Sequence, residues 1–253
     1  MLGQAIWWSG IGLETLLLVR GFRGQLLGRY PVFYSYIGFV LVQSLLRFSI
    51  YHARPQLYVP VYWITQAVGI LFGCAVVFEI YRVGLRAYPG TARMARNVLA
   101  FVFVVALTKA LVESWNYPQW WSIATNADLE RVLRTVQSLA ILALVLLFLF
   151  YSIPFGRNLR GILMGYGLFV AVSVIQLTFV TNSGSRFSNF WSYMSPASYF
   201  AVLGVWAGHL WSYRAIPEPK KSVELEVQYQ RLAAATSHRL QAARGYLEKA
   251  VRP

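Results

Sequence analysis

Seven long apolar stretches occupy this chain up to about Tyr213: Gln4 to Val19, Pro31 to Tyr51, Tyr58 to Tyr81, Asn97 to Trp115, Val132 to Tyr151, Gly161 to Val180 and Trp191 to Tyr213. Each is read as long enough to cross a hydrocarbon layer roughly 30 Å thick. Backbone groups facing lipid have no water to bond, so each stretch must close its hydrogen bonds internally as a helix. The expected fold is therefore all-α, a polytopic integral membrane bundle of seven transmembrane helices over residues 1–213. A cytoplasmic basic tail follows over residues 214–253. Composition agrees: 57 % of residues are apolar and only 13 % are charged, roughly half the charge of an ordinary soluble domain.

Basic residues set the expected orientation, because cytoplasmic loops carry the excess of Lys and Arg. The first loop holds Arg20, Arg23 and Arg29, and the third holds Arg82, Arg86, Arg93 and Arg96. The fifth holds Arg157 and Arg160, and the tail begins with Arg214, Lys220 and Lys221. The even loops are poorer in basic residues, with Arg54 in the second, Arg131 and Arg134 at the end of the fourth, and Arg186 in the sixth. The N-terminus is expected outside, the C-terminus inside, and the protein multi-pass in the cell membrane. Arg20 and Arg23 follow the first apolar run and Glu14 interrupts it, which argues for an anchor rather than a cleaved leader. The net charge of +14 is explained by this placement beside the spans. The expected partner is the lipid bilayer, and nucleic acid is not expected.

Trp7, Trp8, Trp115, Trp120, Trp121 and Trp191 fall at proposed outer span ends, where indole rings favour the headgroup level. Trp211 and Tyr213 would mark the inner surface, and Asn116 to Trp121 is the alternative reading as an aromatic ligand box. Glycines four apart (Gly69 and Gly73, Gly161 and Gly165, Gly204 and Gly208) point to close helix packing within the bundle. After Pro217 and Pro219, Ser222 can cap an amphipathic helix running to about Ala250. Its narrow apolar stripe offers self-association, a partner protein or the inner membrane surface.

Ionisable groups inside spans are costly and mark functional candidates. Arg47 and the i,i+4 pair Lys109 and Glu113 are placed in the outer half, with Gln43, Gln66, Gln137 and Gln176 between midplane and outer half. Together with Arg131 and Arg134 they would line a polar cavity open to the outside. The structural alternative pairs Lys109 with Glu113 and lets Arg47 snorkel. Glu14 is placed apart, near or below the midplane, as a candidate proton or cation relay, with Glu79 and His209 nearer the inner ends. Glu79 is expected to pair with Arg82, three residues on.

No metal or cofactor is expected. His52 and His209 lie at opposite ends of their spans, and Cys74 is the single cysteine, read as a small buried hydrophobe. No catalytic motif is present, so an enzyme is the least favoured class. The leading expectation is a receptor-like or sensory membrane protein, with a small-molecule ligand in the polar pocket coupled to the tail helix. A transporter or channel for a small solute, ion or proton is the second, and a structural or assembly subunit the third.

Overall fold

A computed structural model describes residues 2–86, 88–115, 123–150, 156–182 and 185–214, with Val227, Arg231, Ala234 and Thr236 in the tail. Within these, the side chains of residues 2–6, 89, 91, 110, 111, 113–115, 123–129, 150, 180–182 and 185–193 lie outside the description. The described chain is all-helical, with no strand among these residues. Seven helices are seen among them: α1 (Leu2–Arg23), α2 (Pro31–Ala53), α3 (Tyr58–Gly84), α4 (Pro89–Trp115), α5 (Ile123–Phe150), α6 (Arg157–Asn182) and α7 (Ser185–His209), with a short 3-10 turn at Pro55–Leu57. Four segments are long and apolar enough to cross a membrane: Pro31–Ala53, Pro55–Gly84, Glu130–Leu149 and Arg157–Phe179. Val227, Arg231, Ala234 and Thr236 are helical and exposed; the rest of the proposed Ser222–Ala250 helix lies outside the described residues.

Helix ends depart from the ends of the apolar stretches: α1 and α6 extend past theirs at both ends, and α4, α5 and α7 begin well before theirs. Thus α4 begins at Pro89 rather than near Asn97, and α5 at Ile123 rather than near Val132. Apolarity marks where hydrocarbon would be, whereas backbone hydrogen bonding continues into polar sequence such as Arg93 and Arg96. Conversely, α7 stops at His209, short of Tyr213. Asn158, wholly buried at the start of α6, donates to the carbonyls of His209 (3.0 Å) and Ser212 (2.8 Å) and accepts from the Arg214 amide (2.7 Å). Those bonds take up backbone groups that a continuing helix would have used.

Six helices form a ring in the order α1, α2, α3, α5, α6, α7, with α7 closing on α1 and α3 also touching α6. Among the described residues α4 packs chiefly against α3 and α5, outside the ring. It is shut out because α3 and α5 meet directly: the Tyr81 hydroxyl donates to the Ala140 carbonyl (2.7 Å), and Gln137 Nε2 to the Ile70 carbonyl (3.2 Å). Large apolar side chains are exposed around the bundle, among them Val42, Leu71, Phe101, Leu146 and Ile175. A belt of this kind is the surface expected to face lipid.

The interior is solid at one end and hollow at the other. At the arginine-rich end, Phe33 meets Trp206 edge-on (5.0 Å), and Leu26, Ile80, Leu85, Phe148, Leu159 and Leu210 are all buried. Close approach of α6 and α7 depends on glycine. A Cβ at Gly165 would run into the Trp206 indole, and one at Gly161 into His209. Gly73 likewise admits the Tyr166 hydroxyl, as bundle packing requires. Gly204 and Gly208 differ from the sequence expectation: they are exposed and an added Cβ would meet nothing within 4 Å. The reason is rotational, since Leu203 and Trp206 hold the inward face of α7.

The same end shows why Glu79 is buried. α2 starts at Pro31, so its first orphan amides belong to Val32 and Phe33, and the cap residue Tyr30 offers no side-chain bond. Glu79, on α3, accepts both, through Oε1 from Val32 (3.0 Å) and Oε2 from Phe33 (2.7 Å). A carboxylate at a helix N-terminus also meets the positive end of the helix dipole. The expected pair with Arg82 is only a 3.9 Å approach to a largely exposed guanidinium. Glu79 is thus chiefly a cap supplied from another helix. Burial pushes the neighbouring Tyr30 phenol, in the turn before α2, up to about 12, so it adds no charge beside the carboxylate. Arginines close this end over aromatic rings, Arg20 over Trp211 (4.7 Å) and Arg29 over Tyr213 (4.4 Å).

Candidate functional site

The hollow half of the ring encloses a cavity of about 790 Å³ walled by all six ring helices. Its mouth is at the helix ends opposite the arginine-rich end, where Tyr51, His52 and Tyr58 stand. From there it runs down to Glu14, Tyr36 and Gly69. Along α2 the walls extend from His52 to Tyr36, about 24 Å at the helical rise per residue. Aromatic rings make up much of the lining, including Trp7, Phe48, Tyr62, Phe169 and Tyr199. Trp7, expected in an outer aromatic belt, instead stacks on Phe48 (4.7 Å) and lines the mouth, while Trp8 beside it is exposed.

One wall, built by α2, α3 and α5, is a continuous polar chain. Arg47 donates from Nε to Thr65 Oγ1 (3.0 Å) and from Nη2 to the Tyr62 carbonyl (3.0 Å) and Gln66 Oε1 (3.1 Å). Its guanidinium lies over the Tyr62 ring at 4.2 Å. The amide orientation that satisfies both groups turns the Gln43 oxygen onto the same guanidinium. Gln66 Nε2 passes the chain on to Glu130 Oε1 (2.6 Å), and Glu130 receives Arg134 Nε at 2.7 Å. Glu130 and Arg134 are both buried, one turn apart on α5. Arg134 in turn lies 4.9 Å over the Phe169 ring. This wall holds two guanidiniums and a single carboxylate among its described residues.

The opposite wall, from α1 and α7, carries Glu14. Its Oε1 accepts from the Tyr199 hydroxyl (2.8 Å), and its Oε2 is buried with no hydrogen-bond partner. Glu14 as a whole is 2 % exposed. A buried carboxyl oxygen without a partner is expensive, and here it borders a cavity. Pro196 lies inside the continuous helix α7 on the same wall.

Beneath the cavity the floor is polar but closed. Tyr36 meets the Tyr166 ring edge-on (5.9 Å), and the Tyr166 hydroxyl donates to Gln137 Oε1 (3.1 Å). Gln137 spends its amide on Ile70 and on Cys74 Sγ (3.2 Å), so it is a buried tie between α3, α5 and α6.

Of the residues singled out from sequence, Arg47, Gln43, Gln66, Gln176 and Glu14 border this one cavity. Position along the chain alone places Glu14 in a separate inner group. The cavity reaches deeper than the outer half and so brings it together with Arg47. Lys109 is exposed on α4, none of whose described side chains lines the cavity. The Glu113 side chain and Asn116 to Trp121 lie outside the described residues. Arg131 is half-buried and does not line the cavity. Sequence reasoning missed Glu130, whose i,i+4 spacing to Arg134 is an ion-pair signal; it falls just before the apolar stretch and reads as loop. Tyr36, Tyr62 and Tyr199 carried no signal, since tyrosine is ordinary at membrane interfaces. No protein-family model, no curated protein and no solved structure matches this chain.

Proposed function

We propose that this is a seven-span protein of the cell membrane, N-terminus outside and C-terminus cytoplasmic, that binds a small ligand in the central cavity as a receptor-like or sensory protein. The observation that carries the reading is the cavity itself: about 790 Å³, polar on both walls, aromatic between them and closed beneath. Sites for small molecules have this size and this mixture of aromatic walls with a few placed polar groups. All seven helices are 22 to 28 residues long, enough to span with some tilt. The arginine-rich end is the better-packed one, which suits the cytoplasmic face. Helix shifts on ligand binding would pass through α7 and Arg214 to the tail.

The orientation is checked with a reporter fused after Pro253, expected to be active on the cytoplasmic side; activity on the outer side sinks it. Binding is checked by thermal unfolding of the detergent-solubilised protein against a panel of small polar and amphiphilic compounds. Ser173 lines the cavity, so Ser173→Trp obstructs it and serves as the control. At least one compound is expected to raise the wild-type Tm and leave the Ser173→Trp protein unmoved. If none separates the two proteins, the cavity is not a binding site.

A transporter is the second reading, favoured by Glu14, a buried carboxyl with an unpartnered oxygen at the cavity edge, since ionisable groups within spans mark ion and proton paths. Liposome flux that is lost in Glu14→Gln would establish it over the receptor-like reading.

A further inference from the structure

We infer that the cavity takes an amphiphilic monoanion: a carboxylate held at Arg47, an aromatic or hydrocarbon body, and a hydrogen-bond donor at the far end held by Glu14. This rests on the cavity being a ligand site and names what fills it. The anionic end follows from the charges of the α2–α3–α5 wall. Arg134 is matched by Glu130 at 2.7 Å. Arg47 has no carboxylate within ion-pair distance among the described residues, and its fixed bonds run to a hydroxyl, a carbonyl and side-chain amides. Those neutral partners hold the guanidinium in place over Tyr62 without discharging it. A planar guanidinium so fixed suits a carboxylate.

The donor end follows from Glu14. Tyr199 satisfies one oxygen, and the other is buried at the cavity edge with no partner. A ligand hydroxyl there removes the cost of that orphan acceptor.

The two ends are apart. Trp7 and Phe48 stack and so share a level. Glu14 is seven residues below Trp7 and Arg47 one residue below Phe48, which separates them by about 9 Å along the helix axes. That gap is an axial minimum to which the width between the walls adds; it excludes an α-amino acid, whose charged groups are adjacent, and calls for a body of at least about seven bonds. Between the two ends stand the aromatic rings of Tyr36, Phe169 and Tyr199, and the guanidinium over Phe169, that of Arg134, is already neutralised by Glu130.

The test uses the full-length protein in nanodiscs, with empty discs as blank, and three probes: 8-hydroxyoctanoate, octanoate and octane-1,8-diol. The first is expected to bind at least about tenfold tighter than either of the others, since each lacks one hydrogen-bonded end. Arg47→Gln should remove the preference over the diol and Arg47→Lys should keep most of it, while Glu14→Gln should weaken the preference over octanoate. Because the three-probe comparison is made in the wild-type protein, it decides the matter even where a variant does not fold. Equal affinity for the diol and the hydroxy acid, or no saturable binding of the acid, overturns the inference. A neutral compound that stabilises wild type but not Ser173→Trp would then leave the cavity reading standing; without one, both readings fall together.

Discussion

Glu130→Ala is expected to destabilise the protein by about 3–5 kcal/mol, because it leaves the Arg134 guanidinium buried without its counter-charge. Both side chains are under a tenth exposed, so water replaces the lost partner only in part, from the cavity side. Gln66 loses its acceptor in the same stroke, and the effect should extend along the polar wall to Arg47. The double variant Glu130→Leu/Arg134→Met removes both charges and is expected to be more stable than Glu130→Ala. A well-packed apolar pair often equals or exceeds a buried ion pair. Equilibrium unfolding in detergent for the wild type, Glu130→Leu, Arg134→Met and the double variant measures the coupling. If the double variant loses as much as the two single variants added together, the pair is not a coupled unit and the polar wall is not continuous.

The second large effect is expected at Glu79. Removing its carboxylate in Glu79→Ala strands the amides of Val32 and Phe33 at a buried helix start, at about 1–3 kcal/mol for each orphan donor. Arg82→Ala is expected to cost under about 1 kcal/mol, since the contact is long and the guanidinium largely solvated. The comparison separates two accounts of one residue. Were Glu79 held mainly by its neighbour one turn away, the two variants would have similar melting points. If it caps α2 from α3, Glu79→Ala falls far below Arg82→Ala. The same unfolding experiment reads both, and a small loss in Glu79→Ala would refute the cap.

These two carboxylates show where reading residues in order reaches its limit. Glu79 sits three residues before Arg82, and helical spacing makes that pair the natural expectation. Two backbone amides on another helix bind it at shorter range, because Pro31 starts α2 with donors that no local side chain can satisfy. Glu130 was invisible for a different reason: it precedes the apolar stretch, while α5 begins well before the stretch does. Periodicity and hydropathy describe a helix against its solvent. They carry no information about which neighbouring helix turns an orphan group toward it. Gly204 and Gly208 make the same point, having the spacing of a packing motif on the face of α7 that the fold leaves open.

What sequence alone determined was the helical class, the approximate position of each helix and the polar residues that such a bundle would have to accommodate. The physical reason is local: long apolar stretches must satisfy their own backbone, and a charge among them is costly wherever it lands. Only the tertiary structure decided that α4 stands outside the ring, that Glu14 and Arg47 face one cavity from opposite walls, and that Lys109 does not join them. Those outcomes depend on which helices touch, set by side-chain packing such as Tyr166 against Gly73 and Trp206 against Gly165. Such contacts join residues far apart along the chain, and no pattern within a single helix encodes them.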